Sequence, residues 1–347
     1  MTMNDGVMPR SEIEGKDNSS EDKSNYKVVC KGDMVYNSMR MWQGANGVSN
    51  YDGIVSPAYT VLMPTEEIDN QYFAALFKTS NLINEFRKNS QGLTSDTWNL
   101  KYPQIRPIRL YIPSLQEQNK ISSFIGTLEE RIGKQRQLVD SLKKYKRGLL
   151  NSLITQKLKF TPGQIWRTTK LGDIFQERTE RAIGDEELLA VTIRSGVQKR
   201  DEINLKDNSS DDKSHYKRVY KGDLVYNTMR MWQGASGVSL FDGIVSPAYT
   251  VVTPIDAAGT NIIFWSYYFK FVPLVRTFQK YSQGLTSDTW NLKFPQFSEI
   301  KVSVPSLKEQ TSIADFLSRI DKKIQREENK LRACQRLRTA LMQQLFI

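Results

Sequence analysis

Most of this chain is one sequence written twice. Tyr36-Asn37-Ser38-Met39-Arg40-Met41-Trp42-Gln43-Gly44 returns 190 residues later as Tyr226-Asn227-Thr228-Met229-Arg230-Met231-Trp232-Gln233-Gly234. Between Thr2–Pro64 and Thr192–Pro254, 44 of 63 positions are identical. After a two-residue insertion the offset becomes 192, and Ser90–Leu100 recurs unchanged as Ser282–Leu292. A repeat of this length forces two like units, so the 347 residues read as an intramolecular pseudo-dimer.

Each copy has two parts. The first, about 110 residues, reads as mixed and mainly β. Its β-branched runs, such as Lys27-Val28-Val29 and Ile54-Val55, are cut by Lys31-Gly32-Asp33, Asp52-Gly53 and Ser56-Pro57 turns. One helix is expected near Asn70–Lys88. Its counterpart, Asn261–Lys280, contains Pro273, which predicts a kink or a split. The second part is a long helix that starts after Pro113-Ser114-Leu115 and again after Pro305-Ser306-Leu307.

Apolar residues recur along these helices at alternating steps of three and four. They are Ile121, Ile125, Leu128, Ile132, Val139, Leu142, Leu149 and Leu153 in the first, and Ile313, Leu317, Ile320, Ile324, Leu331, Cys334, Leu341 and Leu345 in the second. Polar residues take the same two steps in each, Gln135 and Lys146, then Glu327 and Arg338. The heptad predicts a coiled-coil seam; an amphipathic helix packed on its own domain is the alternative. A two-fold relation makes the helices antiparallel and would let Glu327 pair with Lys146. The fold class is therefore α+β, with two pseudo-two-fold related, mainly β domains separated by two long antiparallel coiled-coil helices. The parts run 1–114, 115–156, 157–306 (linker and second mixed part) and 307–347. At 1.5 Å per residue, about 35 helical residues make a spacer of roughly 50 Å.

Charge narrows the partner. Lys and Arg number 49 against 38 Asp and Glu, a net +11 that points to an acidic partner, nucleic acid before a membrane surface. Helix 116–156 carries eight basic and four acidic residues and helix 308–347 nine and five, so the helices hold most of the excess. No run approaches the roughly 18 apolar residues of a membrane span. Met1-Thr2-Met3-Asn4-Asp5 has no signal-peptide pattern. Cys30 and Cys334 build neither a disulfide framework nor a zinc site, and His215 faces Asn25 in the other copy. A reducing cytoplasm is the expected setting. No dinucleotide turn, phosphate loop, His-Glu-x-x-His or methyltransferase signature occurs. The sequence offers no catalytic residue and no metal set, which disfavours a stand-alone nuclease or methyltransferase.

Each long helix opens with Pro-Ser-Leu-x-Glu-Gln-x-x-Ile-x-x-Phe, Pro113 to Phe124 and Pro305 to Phe316. The second copy begins Lys170-Leu171-Gly172-Asp173-Ile174-Phe175, and both carry Lys-Gly-Asp-(Met/Leu)-Val-Tyr-Asn. With the two-copy layout, this resembles the DNA-specificity subunit of type I restriction–modification systems across essentially the whole chain. The resemblance implies that the parts within 1–114 and 157–306 are target-recognition domains, each reading half of a bipartite site on double-stranded DNA. It implies that the helices set the gap and dock two modification subunits, which bring S-adenosylmethionine and methylate adenine N6. Restriction subunits would add ATP- and Mg²⁺-dependent translocation and cleavage, leaving this chain non-catalytic and without a cofactor of its own. Residues Lys170–Ala190 have no counterpart in copy one, so the first recognition domain is expected to be N-terminally short. A truncated scaffold or decoy that binds modification subunits without competent DNA recognition is the competing function.

Base reading needs guanidinium and amide forks on loops, with hydroxyls and backbone amides on phosphates. Two segments per copy fit: Arg40 and Gln43 with Arg230 and Gln233, and the polar loop Ser90, Gln91, Thr94, Ser95, Asp96 and Asn99 with Ser282, Gln283, Thr286, Ser287, Asp288 and Asn291. The polar loop equally fits a self-bonded turn, and Arg40 and Arg230 equally fit buried carboxylate pairs. Trp42, Trp98, Trp232 and Trp290 are expected to pack beneath these segments. Lys16–Ser20 and its twin Lys206–Ser210 form a third loop, best read as a turn. Near-identity of both main segments implies like half-sites and a palindromic target. Base contacts at the diverged pairs Asn4/Arg194, Met8/Gln198 or Pro9/Lys199 would undo that inference.

Overall fold

The computed structural model describes residues 6–13, 19–64, 66–183, 186–193, 195–203 and 212–346. Asn4, Lys16, Asp17, Asn18, Arg194 and Lys206–Ser210 lie outside them. Two compact units emerge, one from residues 1–138 with 327–347 and one from 139–326.

The first unit opens with five short strands, β1 (Lys27–Val29), β2 (Met34–Asn37), β3 (Asn46–Val48), β4 (Gly53–Val55) and β5 (Tyr59–Leu62). β1 pairs antiparallel with β4, and a second sheet has the order β3-β2-β5. The two-residue period of β2 sends Met34 and Tyr36 into a core with Met41, Tyr72, Phe77, Phe86 and Leu100, and Val35 to the other face. The single helix expected near 70–88 is two, α1 (Asn70–Leu76) and α2 (Ser80–Asn89). Asp69 caps α1 by accepting from the amides of Gln71 and Tyr72. The Thr79 hydroxyl bonds the Leu76 carbonyl at 2.8 Å, and the chain turns before α2 begins. A short α3 (Tyr102–Ile105) follows, then the long α4 (Leu115–Ile154), whose residues up to Leu138 belong to this unit.

In the second unit the repeat is built out further. Ahead of the repeated strands come β6 (Arg167–Lys170), β7 (Phe175–Glu177), β8 (Leu189–Thr192) and β9 (Gly196–Lys199). The repeated set is β10 (Lys217–Val219), β11 (Leu224–Asn227), β12 (Ser236–Val238), β13 (Gly243–Val245) and β14 (Tyr249–Pro254). Next are α5 (Ile262–Tyr268), α6 (Val272–Tyr281), α7 (Phe294–Ser298), β15 (Lys301–Val304) and α8 (Leu307–Leu345). Pro273 stands in the first turn of α6, where its missing N–H costs nothing, so the split expected there is observed. The sheet order is β12-β11-β14-β7, and β6 pairs with β15, β8 with β9 and β10 with β13. β11 is buried on both faces. Leu224 and Tyr226 enter an aromatic core with Phe175, Trp265, Phe269, Phe278 and Phe297, while Val225 joins Leu189, Val191, Val197, Val245 and Val251.

Every seam position is buried or half-buried, as the heptad requires. In the first unit Gln135 Nε2 donates to Glu327 Oε2 at 2.9 Å, and Arg338 Nε donates to Glu129 at 2.5 Å. In the second, Lys146 Nζ donates to both oxygens of Asp321, at 2.6 and 2.7 Å, and lies 4.7 Å from the ring centre of Tyr267. In the first unit a lower number on α4 meets a higher one on α8, so the pairing is antiparallel. The partners differ from the expected Glu327–Lys146 pair. Glu327 is taken by Gln135 and Lys330, and Lys146 by Asp321. Asp321 and Glu327 are roughly one and a half helical turns apart on α8, so only one of them can stand opposite Lys146.

Among the described residues the second unit seals two buried clusters where the first seals one, so its strands should open less readily. Hydrogen exchange followed by mass spectrometry should show slower exchange in β11 and β14 than in β2 and β5. Phe297→Ala, at the centre of the aromatic core, should cost the second unit about 3–5 kcal/mol in denaturant melts.

Candidate nucleic-acid interface

The loop between β2 and β3 is built by its own backbone. Asn37 Oδ1 accepts from the Met39 amide at 3.0 Å, the Arg40 amide donates to the Asn37 carbonyl, and residues Met41–Gln43 close a 3-10 turn. Met41 is fully buried and pins that turn to the core. Gly44 ends it at φ 80°, a left-handed value that glycine adopts without strain. The β11–β12 loop repeats each feature through Asn227, Met229, Met231 and Gly234. Arg40 and Arg230 stand exposed on the outer bend.

The second predicted segment is a closed hairpin. Gln91 and Asn99 exchange backbone bonds at 3.0 and 2.8 Å, as do Gln283 and Asn291. Inside, the Thr97 hydroxyl bonds the Thr94 carbonyl at 2.9 Å and accepts from the Thr94 amide at 3.1 Å; Thr289 does the same to Thr286. A side chain at Gly92 or Gly284 would put its Cβ 2.6 Å from the Thr97 or Thr289 carbonyl oxygen, which only glycine avoids.

The structure joins the two segments in each unit. The Leu100 amide donates to the Ser38 carbonyl at 2.8 Å, and Leu292 to Thr228 at 2.9 Å. The indoles of Trp42 and Trp98 meet edge to face with centres 5.1 Å apart, and those of Trp232 and Trp290 at 5.2 Å. Each of Trp42 and Trp232 also donates its Nε1–H to a Met carbonyl in its own loop. These tryptophans are half-buried and lie between the segments. The expected position beneath them is not the one observed, because each indole needs the other's ring.

Gln91, Thr94, Ser95 and Asp96 are exposed with Arg40, and Gln283, Thr286, Ser287 and Asp288 with Arg230 and Gln233; Gln43 is half-buried. Arg40 and Arg230 form no ion pair among the described residues, so the buried-pair alternative falls. The Ser90 and Ser282 hydroxyls turn inward to the Phe86 and Phe278 carbonyls. The side-chain oxygens of Asn99 and Asn291 are buried. The hairpin is therefore self-bonded and also presents outward polar groups. Sequence reasoning misses Leu93 and Leu285, fully exposed at the hairpin tips. An aliphatic residue inside a polar repeat was the available signal. Of the diverged positions, Lys199 is held by Glu187 at 3.0 Å. Among the described residues no three of His, Cys, Asp and Glu converge as metal ligands, and no helix is long and apolar enough to cross a membrane.

Behind the β11–β12 loop lies a buried amine. Lys270 Nζ donates to the carbonyls of Gly234, Ser236 and Ile193. Burial above all, with Lys146 adding repulsion, pushes its pKa down to about 8. Burial likewise lowers Lys78, its counterpart, which lies against Gly44.

Residues 2–144 and 164–334 match the family model described as Type I restriction modification DNA specificity domain. Over 132 residues the chain is 27% identical to the Type I restriction enzyme HindI specificity subunit of Haemophilus influenzae; the match covers 36% of this chain and 28% of that protein. The chain thus spans little more than a quarter of that curated relative. Among solved structures it is similar to the type I restriction–modification S subunit from M. genitalium, with TM-score 0.59 and 15% identity over 99% of this chain and 92% of that one. A chain from the structural work on complex assembly and conformational transition of the type I R-M system gives TM-score 0.56 and 16% identity over 94% and 84%. At these identities the likeness is one of fold.

The Lys270 amine binds its proton less tightly in the folded chain than in the unfolded one. Between pH of about 8 and the ordinary lysine value of 10.5, the unfolded state holds the proton that the folded state has released. Stability of the second unit should therefore rise with pH across that window. Urea melts should show the rise, and Lys270→Met should flatten it.

Proposed function

Because the chain belongs to the family of type I restriction–modification DNA specificity domains, we propose that it is the sequence-specific DNA-recognition subunit of such an enzyme. In this reading each unit takes one half of a bipartite site on double-stranded DNA. One observation carries it: the same pair of exposed loops, tied by a tryptophan pair and a backbone bond, occurs once in each unit.

The chemistry of the loops suits the task. Arg40 and Arg230 offer planar donor forks of the kind that pair with guanine O6 and N7. Gln91 and Gln283 add amides, and the threonine and serine hydroxyls suit phosphate oxygens. Leu93 and Leu285 supply apolar tips that fit thymine methyls or a base step. Since the loops are nearly identical, the two half-sites are alike and the target is palindromic around a gap. The long basic helices space the recognition loops and dock two modification subunits, which bring S-adenosylmethionine to adenine N6. Restriction subunits bring ATP and Mg²⁺. The chain itself catalyses nothing, and its partners set its location in the cytoplasm.

A second reading has one observation in its favour. Among the described residues, the first unit's β3-β2-β5 sheet carries no strand matching the one that β7 adds to the second, which suits a scaffold that binds modification subunits while its first unit reads no DNA.

Methylome sequencing of cells expressing the chain with its modification subunit tests both. A gapped palindrome carrying N6-methyladenine is the expected result. A single unpaired half-motif, or none from an assembled complex, would favour the scaffold. In binding assays at fixed salt, Arg230→Ala should weaken cognate DNA by about 1–3 kcal/mol and relax one base position, whereas a phosphate contact would lower affinity evenly across sequences.

A further inference from the structure

The recognition loops match between the units, and the helix behind them does not. In the first unit α2 lays one face against the β2–β3 bend. Ile83 packs on Gly44, where an added Cβ would sit 3.3 Å from Ile83 Cδ1. One helical turn further along that face stands Arg87. Its guanidinium carbon lies 5.5 Å from the ring centre of Trp42, the indole that ties the two loops, which is a cation–π distance. In the second unit Val275 takes the place of Ile83 against Gly234, and Gln279 takes that of Arg87. Among the described residues no cation lies over Trp232.

The needs of the helix do not account for Arg87. A cation in the last turn favours a helix C-terminus, but α2 already has Lys88 there, and α6 closes on Lys280 alone. Glu85, the nearest carboxylate along α2, is taken by Lys88 at 2.7 Å. Arg87 is exposed and forms no ion pair among the described residues. A guanidinium kept in place by a ring retains its fork of donors and loses little freedom on pairing. The second unit has an arginine of its own, Arg276, where the first has Asn84. It comes three residues before Gln279 and rests on no ring among the described residues.

Position decides what Arg87 meets. Arg40 stands on the outer bend and Leu93 at the hairpin tip, whereas Arg87 rests on the half-buried indole at the base of both loops. On a duplex the phosphates form the outer ridges and the base edges line the groove between them. Projecting tips therefore reach bases, and groups at the base of the loops reach phosphates.

We propose that Arg87 binds a backbone phosphate beside the half-site taken by the first unit, a contact that the second unit, with Gln279, does not make. The proposal rests on the DNA-recognition reading. The contact adds affinity without base preference, so the half-sites stay alike while the two units hold them unequally.

The test uses the full chain with its modification subunit, on duplexes carrying the motif that methylome sequencing returns. Affinity is measured from about 50 to about 200 mM salt. Arg87→Gln should make the plot of log affinity against log salt shallower by about 0.9, or about 3.5-fold across that range. Gln279→Arg should steepen it by about as much. Neutral methylphosphonates, placed one at a time, should reveal a position flanking one half-site where the intact chain loses affinity and the Arg87→Gln chain does not. A loss of affinity equal at every salt concentration would make Arg87 a mere prop for Trp42 and overturns the proposal. So does a changed base preference at one motif position, because Arg87 would then read a base. A complex that binds no duplex removes the DNA-recognition reading and this proposal together, whereas binding with an unmoved slope removes the proposal alone.

Discussion

An indole set edge-on against another indole, twice over, is what gives this chain a surface to recognise anything with. Each loop in a unit closes on its own hydrogen bonds, and the contacts between the two set them relative to each other. The β2–β3 bend is pinned from below by Met41 and ended by Gly44 against Lys78, and the Gln91–Asn99 hairpin is a short ladder around a glycine. Trp42 against Trp98, with the Leu100 amide on the Ser38 carbonyl, makes them one body. Trp232 and Trp290 do the same in the other unit. Arg40 and Gln91 thereby present their donors from a shared base, which lets two loops read adjacent groups as one surface.

Much of this was legible in the sequence, for physical reasons. The repeat fixed the two-unit plan because identical strings meet identical local forces. The heptad revealed the long helices because a two-stranded seam demands alternating steps of three and four. Pro273 marked the break between α5 and α6. The matching break between α1 and α2 carries no proline. It depends on Thr79 bonding back to Leu76, a contact that helix periodicity does not display. The partner of Lys146 was hidden for a similar reason. A seam pattern gives direction and face, but register is set by side-chain packing such as Tyr267 against Asp321. The half-buried tryptophans were misplaced because composition ranks an indole as core, whereas here its partner is another indole at the surface.

The copies are alike in string and unlike in completion. Tyr36 and Tyr226 are equally buried, yet among the described residues only the second sheet is valine-packed on its far face and strand-covered at its edge. Identity over most of a domain thus fixes the loops and the central strands. The periphery depends on what else the chain brings to that edge.

The tryptophan pairs also decide what light the protein gives back. Of its six tryptophans, four form the two half-exposed pairs, while Trp166 and Trp265 are buried in the second unit's core. Intrinsic emission therefore comes in two colours, a blue fraction from the sealed core and a redder one from the loops. Paired indoles so close also couple their near-ultraviolet transitions. A ligand that touches the hairpins alters the red fraction and leaves the blue one still, giving the chain a built-in optical reporter without a label.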